Sequence, residues 1–85
     1  MEKFCMTLNQ AFAQRVRQLL KEKKMTMYRL EQDTGLYHST ISCLMNGRYK
    51  TANFRTMALI IRALGVSVSE FFNDPIFEFD DLDID

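Results

Sequence analysis

Apolar residues recur at helical spacing through most of the chain, starting with a stretch near its beginning. Thr7 or Asn9 can cap a helix there, because a short polar side chain accepts a hydrogen bond from one of the first exposed amides. The charged residues of this stretch, Arg15 among them, are expected on the opposite face, toward solvent. The pattern predicts a helix over residues 9–23. Its apolar face has the spacing i, i+4, i+7 and i+8 and consists of Phe12, Val16, Leu19 and Leu20.

Four further helices are predicted, each bounded by residues that start or end a helix. Thr26 offers a cap to the second helix, and Gly35 ends it, because glycine readily adopts the left-handed conformation of many helix ends. Gly65 ends the fourth helix, and Ser67 with Glu70 forms the pattern of a capping box ahead of the fifth. The fourth helix is the most apolar and is expected at the centre of the core. The predicted ranges are 27–34, 38–45, 54–64 and 68–72.

The helical spacing ends at Asp74-Pro75. Beyond this break, apolar residues alternate with acidic ones over two short stretches, so the segment is expected to be a strand or merely extended. The break is the one candidate boundary, and it divides the chain into a helical domain, residues 1–73, and an acidic-hydrophobic tail, residues 74–85. Five helices need no strand, so the predicted fold is all-α, with a short extended acidic C-terminal tail.

The composition is that of one soluble globular domain. The chain has 85 residues, 47% of them hydrophobic and 26% charged, with one proline and three glycines, which suits a folded domain and not a disordered chain. No apolar run approaches the roughly 18 residues needed to cross a bilayer, and no signal-peptide pattern begins the chain. We therefore expect a cytoplasmic protein without a membrane partner.

The formal net charge of zero conceals two regions of opposite charge. Residues 1–73 hold all eleven lysine and arginine residues and five acids, whereas residues 74–85 hold six acids and no base. The positive excess of the first region suits a polyanionic partner such as nucleic acid, whose binding is dominated by charge neutralisation and counterion release. A merely solvated surface explains the charge equally well.

Few residues are available for catalysis or for metal binding. Cys5 and Cys43 lie far apart without a CxxC pair, and the chain has one histidine, so neither a zinc site nor a disulfide is predicted. The sequence also lacks a glycine-rich phosphate loop. We expect no cofactor, no metal and no enzymatic activity.

A helix-turn-helix is indicated by the second and third predicted helices. They are short and are joined by a turn that contains Gly35, and the third has a small, polar outward face, as a helix that reads the major groove requires. The motifs in and around these helices are Met25-Thr26, Leu30, Gly35, Ser39-Thr40-Ile41-Ser42, Leu44, Asn46-Gly47 and Arg62-Ala63-Leu64-Gly65-Val66-Ser67. With these motifs, residues 12–72 resemble the Cro/repressor-type, or XRE, family of helix-turn-helix regulators.

The resemblance implies a sequence-specific DNA-binding transcriptional regulator, with a repressor favoured, that inserts its third helix into the major groove of a palindromic operator. It places the base contacts on His38, Ser39, Ser42 and Cys43. It places the phosphate contacts on Met27, Asn46, Arg48, Lys50 and Arg55. For Arg48 and Lys50 the sequence agrees, because these cations follow the third helix and can neutralise phosphates without reading bases.

Each base-contacting position also has a simpler interpretation. His38, Ser39 and Ser42 suit an exposed helix face that touches only solvent, although small hydroxyl groups also permit a close approach to bases. Three roles stay open for Cys43: an apolar contact to a thymine methyl group, a redox-sensitive thiol, or no role.

The chain departs from the family pattern at four positions. Glu31 stands where many members have alanine, which leaves the packing of the turn between the two helices open. Leu20 and Met45 stand where many members pair an arginine with a glutamate. Because an apolar pair often replaces a buried ion pair without loss of stability, we expect these two side chains to touch. Met27 stands where a glutamine commonly contacts phosphate.

Double-stranded DNA and a second copy of the chain are the partners that the resemblance implies. A homodimer would hold two recognition helices about 34 Å apart, one turn of DNA. Two acidic tails side by side are disfavoured by their like charges, so the tail can instead fold back on its own basic body. In the alternative function, a protein-binding module such as an antitoxin, the tail grips a partner protein. Contacts of the dimer or of the tail are expected at Phe71, Phe72, Ile76, Phe77 and Phe79.

Overall fold

The five predicted helices are present in the computed structural model, which describes residues 6–46 and 53–78 and the backbone of residues 82–83. The prediction of an all-α fold is confirmed. Within the described ranges, no helix is both long and apolar enough to cross a membrane. The helices are α1 (Leu8–Glu22), α2 (Met27–Thr34), α3 (His38–Met45), α4 (Phe54–Ala63) and α5 (Val68–Phe72). Outside them lie a two-residue strand β1 (Met6–Thr7), a 3-10 turn (Pro75–Phe77) and a two-residue strand β2 (Leu82–Asp83).

Side-chain caps are present at the starts of α1, α2, α4 and α5. Thr7 and Gln10 form a reciprocal capping box, in which Thr7 Oγ1 accepts from the Gln10 amide at 3.1 Å and Gln10 Oε1 accepts from the Thr7 amide at 3.0 Å. Thr7 is therefore the cap of α1, one of the two that the sequence offered. At the start of α5, the Ser67 hydroxyl accepts from the Glu70 amide at 3.1 Å. These bonds satisfy amides that have no partner within their own helix.

The core forms where one face of each helix meets its neighbours. α4 contributes Ile60 and Ile61 and is followed directly by Leu64, all three buried, so the most apolar helix is central, as expected. α2 and α5 pack against α4, and α3 packs against α1. Leu20 of α1 and Met45 of α3 are both buried in this core.

The described part of the tail folds back onto its own chain. Asp74 caps the 3-10 turn by accepting a hydrogen bond from the Ile76 amide at 3.0 Å. The Phe77 ring packs against Phe72, with ring centroids 4.9 Å apart, and β2 pairs in parallel with β1. The turn and β2 both lie against α1. The sequence allowed a tail that folds back on its own chain as the alternative to two tails side by side.

The expectation of a wholly extended tail is wrong at residues 75–77, which form the 3-10 turn. Proline suits the first position of a helical turn because its φ angle is already fixed in the helical range. An aspartate directly before it is a good cap. Asp74-Pro75 therefore starts a turn as well as ending the preceding pattern.

Candidate nucleic-acid interface

The first helix of the helix-turn-helix, α2, begins and ends at residues that fix its length. Thr26 Oγ1 accepts from the Arg29 amide at 3.1 Å and so caps the start of α2. Gly35 ends it with a φ of +72°, a conformation that residues with a side chain rarely adopt. The Gly35 amide donates to the Glu31 carbonyl at 3.0 Å. The chain is thereby turned sharply away from α2.

The turn into α3 is held by local hydrogen bonds. Thr34 Oγ1 donates to the Leu30 carbonyl at 2.8 Å and accepts from the Leu36 amide at 3.3 Å. Tyr37 follows in an extended conformation, and its carbonyl accepts from the Ile41 amide at 3.2 Å. The first turn of α3 therefore has a defined direction relative to α2.

The third helix has two distinct faces. Ile41, Leu44 and Met45 are buried in the core. The opposite face has the spacing i, i+1, i+4 and i+5, and we call it the recognition face. There the first two side chains are exposed and the last two half-buried. The recognition face consists of His38, Ser39, Ser42 and Cys43.

A hydrogen bond from α1 holds the end of α3. Arg17 Nη2 donates to the Met45 carbonyl at 2.9 Å, and this carbonyl is one of those that a helix end leaves without a partner. Many members of the family that the sequence resembles have an ion pair between these two helices. Here the corresponding residues, Leu20 and Met45, are buried and apolar. The polar link between the two helices is therefore made from Arg17 to the backbone.

Glu31 and His38 connect α2 to the first residue of α3. Glu31 Oε2 lies 2.8 Å from His38 Nδ1. The sequence marked Glu31 only as a departure from the family pattern. Its carboxylate is placed beside an imidazole on the recognition face.

The predicted phosphate contacts differ in their surroundings. Asn46 is exposed at the end of α3, where its Nδ2 donates to Ser42 Oγ at 3.3 Å. Arg55 is exposed in the first turn of α4. Met27 is half-buried and packs against the core, and a thioether has no hydrogen to donate to a phosphate. Two predicted contacts lie outside the described residues, Arg48 and Lys50.

Two exposed tyrosines were not among the predicted contacts. Tyr37 is 80% exposed and directly precedes His38 on the recognition face, and Tyr28 is 68% exposed in the first turn of α2. A tyrosine hydroxyl can donate a hydrogen bond to a phosphate oxygen. The sequence signal for Tyr37 is its position, because it directly precedes the predicted start of the third helix.

Arg15 corrects the prediction that the charged residues of α1 all face solvent. It is 8% exposed. Its Nε donates to the Phe71 carbonyl at 2.7 Å, and its Nη2 donates to the Glu70 carbonyl at 3.1 Å. Its Nη1 lies 3.3 Å from Asp74 Oδ2 and 3.1 Å from Gln18 Oε1. The guanidinium therefore binds the last carbonyls of α5 and the start of the tail, and we call Arg15, Glu70, Phe71 and Asp74 the Arg15 cluster.

The residues predicted for dimer or tail contacts also differ in how deeply they are buried. Phe71 is completely buried, with its side chain in the core. Its ring contacts the tail through Phe77, with centroids 6.0 Å apart. Phe72 and Ile76 are half-buried. Phe79 lies outside the described residues.

Comparison with known proteins identifies the family to which this geometry belongs. The Cro/C1-type HTH DNA-binding domain matches residues 15–75, which include all of α2, α3, α4 and α5. No curated protein and no solved structure matches the chain. The matching family is one of regulators and not of enzymes. Because the match covers more than half of its length, the chain belongs to the Cro/C1-type helix-turn-helix DNA-binding family.

Proposed function

We propose that the chain is a sequence-specific transcriptional repressor that acts in the cytoplasm and inserts α3 into the major groove of a palindromic operator. Membership of the family supports DNA binding. The observation that carries the finer proposal is the division of α3 into a buried apolar face and an outward face of small or polar side chains. A groove about 12 Å wide admits one helix with such a face.

Base reading is assigned to the recognition face and anchoring to the residues around it. Ser42 illustrates the reading role, because its Oγ accepts from Asn46 Nδ2 and a serine hydroxyl can at the same time donate to a base acceptor such as guanine N7. Asn46 and the cations that follow α3 contact phosphates, which position the protein without carrying sequence information. The proposed phosphate contacts are Asn46, Arg48, Lys50 and Arg55.

The repressor acts as a homodimer in this proposal. One helix of eight residues reads few base pairs, whereas two copies about 34 Å apart read both halves of a palindrome. The expected complex holds two chains on one operator. With Phe71 in the core, the dimer surface is formed by other residues.

Selection of binding sites from a random duplex library, followed by affinity measurements over a salt series, tests the proposal. We expect a palindrome with half-sites about 10 base pairs apart, bound by two chains. Affinity should fall steeply as salt rises, because bound counterions are released from DNA on binding. Failure to enrich any sequence would overturn the proposal.

Two substitutions separate reading from anchoring. Lys50→Ala is expected to weaken binding to all duplexes and to lower the salt slope by about 1. Ser42→Ala is expected to reduce affinity about fivefold, the contribution of one hydrogen bond, for duplexes that carry the base pair that Ser42 reads. Affinity for other duplexes should change little. Arg62→Ala is the charge-matched control for Lys50→Ala. Arg62 lies about two turns along α4 from Arg55 and is not one of the proposed phosphate contacts, so its loss should leave the salt slope unchanged. Equal losses on every sequence would contradict the reading role of Ser42.

A protein-binding module, such as an antitoxin, is the second function that the sequence left open. The described contacts of the tail favour the first function, because Phe77 packs on Phe72 and Asp74 bonds to Arg15 of the same chain. A partner protein that copurifies with the full chain, and is lost when residues 79–85 are removed, would favour the second.

A further inference from the structure

One hydrogen bond links α2 to the first residue of the recognition face. Glu31 Oε2 lies 2.8 Å from His38 Nδ1. The Glu31 side chain is 19% exposed and the His38 side chain 79%, so a half-buried carboxylate holds an imidazole that otherwise projects into solvent. Glu31 is itself fixed in the last turn of α2, where its carbonyl accepts from the Gly35 amide.

The chemistry of the pair decides which ring nitrogen carries hydrogen. An ionised carboxylate can only accept hydrogen bonds, so His38 Nδ1 must donate to Glu31. When the ring is neutral, the other nitrogen, Nε2, carries no hydrogen and can accept a hydrogen bond through its lone pair. Nε2 faces away from the carboxylate. The contact therefore selects one of the two neutral tautomers of His38.

We propose that Glu31 is a positioning residue for base recognition: it holds His38 as the Nδ1–H tautomer, so that Nε2 accepts a hydrogen bond from the amino group of adenine or cytosine. This inference rests on the proposed function and deepens it by naming the base edge that His38 reads. Adenine N6 and cytosine N4 are the amino donors of the major groove, whereas guanine offers the acceptors N7 and O6. An acceptor nitrogen therefore favours adenine or cytosine and disfavours guanine.

The bond orients the ring more than it stabilises the fold. Contacts between a carboxylate and an exposed cation or ring contribute little to folding, because solvent competes for both partners. Replacing Glu31 is therefore expected to leave the fold intact. It frees the ring to rotate and to exchange tautomers, so that Nε2 can carry hydrogen and donate to guanine.

Nitrogen NMR of the ring tests the tautomer directly. The chain contains one histidine, so its imidazole signals belong to His38, and couplings to the ring carbon-bound protons distinguish Nδ1 from Nε2. At an alkaline pH at which the ring is neutral, we expect the parent chain to show Nδ1 protonated and Nε2 unprotonated. Glu31→Ala should give the averaged shifts of a tautomer mixture. Glu31→Gln, whose amide oxygen can still accept, should fall between the two.

A charge-matched control accompanies these variants. Glu22→Gln removes the same charge from the last residue of α1 and should leave the ring shifts unchanged. An Nε2–H ring in the parent chain would overturn the proposal, and so would an unchanged tautomer in Glu31→Ala. Neither result depends on DNA.

Binding to the selected operator and to its variants at the base pair that faces His38 tests the recognition step. Loss of one negative charge strengthens binding to all duplexes together, so the ratio of affinities is the quantity to measure. We expect the discrimination against guanine to fall about threefold to tenfold in Glu31→Ala, the contribution of one hydrogen bond. In a His38→Ala background the same substitution should leave the discrimination unchanged, because the ring through which Glu31 acts is gone.

The outcomes separate this proposal from the one on which it rests. Unchanged discrimination in Glu31→Ala, or an equal change in the His38→Ala background, would overturn the positioning role of Glu31. A chain that selects no DNA sequence but keeps the Glu31-dependent tautomer would overturn the proposed function and leave the orientation of the ring established.

Discussion

The recognition face and the Arg15 cluster hold polar side chains in opposite environments. On and beside the recognition face these groups are exposed or half-buried, and their bonds are local, as between Asn46 and Ser42. In the Arg15 cluster a buried guanidinium bonds to Phe71 and Asp74, which lie 56 and 59 residues further along the chain. The first region is open to a ligand, whereas the second joins distant parts of the fold.

This difference separates recognition from stability. Breaking a buried polar contact is costly because it leaves the partner groups without hydrogen bonds, whereas an exposed contact is readily replaced by water. Substitutions on the recognition face are therefore expected to change base preference without unfolding the domain. A change at Arg15 instead removes hydrogen bonds that join α1 to α5 and to the tail, and it is expected to lower stability.

The largest expected effect comes from Arg15→Met, which keeps an unbranched apolar stem and removes the guanidinium with its hydrogen bonds. Because the carbonyls of Glu70 and Phe71 lose a buried donor, we expect the free energy of unfolding to fall by about 3 kcal/mol. For a domain of this size that change lowers Tm by roughly 12–24 °C. Urea and thermal denaturation measure both quantities.

Arg29→Met is the matched control for this prediction. Arg29 is on the surface, where its Nε lies 3.0 Å from Asp33 Oδ2, and the loss of such an exposed pair is expected to stay within about 0.5 kcal/mol. Equal stability of the two variants would contradict the structural role of Arg15. Below its melting temperature, Arg15→Met should select the same operator as the parent chain.

The fold was predictable because most of the helices carry their own boundary signals. Thr26 and Gly35 bound α2 through bonds within a few residues, so the local sequence contains the information that determines the element. The burial of Arg15, in contrast, does not follow from the local sequence. Arg15 lies three residues after Phe12 and four before Leu19, so it borders the apolar stripe, but its partners are in α5 and the tail. Only the tertiary arrangement of the helices shows that this charge is buried.

The candidate site was predictable to the same degree. The spacing of Ile41 and Leu44 gives the buried face of α3 and therefore the outward one. The bond between Glu31 and His38 spans the turn between α2 and α3, and its formation depends on the angle between these helices. That angle is determined by packing against α1 and α4, which the spacing of apolar residues does not specify.

The tail, which the Arg15 cluster holds against α1, is also expected to affect DNA binding by the recognition face through its charge. A chain ending at Glu78 keeps Asp74 and Phe77 and loses four of the six acids of residues 74–85. Because fewer negative charges repel DNA, affinity is expected to rise about tenfold at low salt, and the gain should shrink as salt screens the charges. Fluorescence anisotropy over a salt series measures this change.

A full-length chain with those four aspartates changed to asparagine is the control for the shortened chain. It keeps the backbone of β2 and should show the same gain if charge alone is responsible. A truncated chain that binds DNA no better than the parent would show that the charge of the tail does not oppose DNA binding. A truncated chain with an altered base preference would show that the two regions are not separate.

The smallest expected effect comes from Tyr37→Phe, which removes one hydroxyl from an exposed residue beside the recognition face. Since Tyr37 is 80% exposed, stability should change by less than about 0.5 kcal/mol. If the hydroxyl donates to a phosphate, affinity falls about threefold on every duplex, the contribution of one exposed hydrogen bond, and base preference is unchanged. Competition binding with operator and random duplex measures both. A loss confined to the operator would instead place Tyr37 among the residues that read bases, and the boundary of the recognition face would move to include the residue before α3.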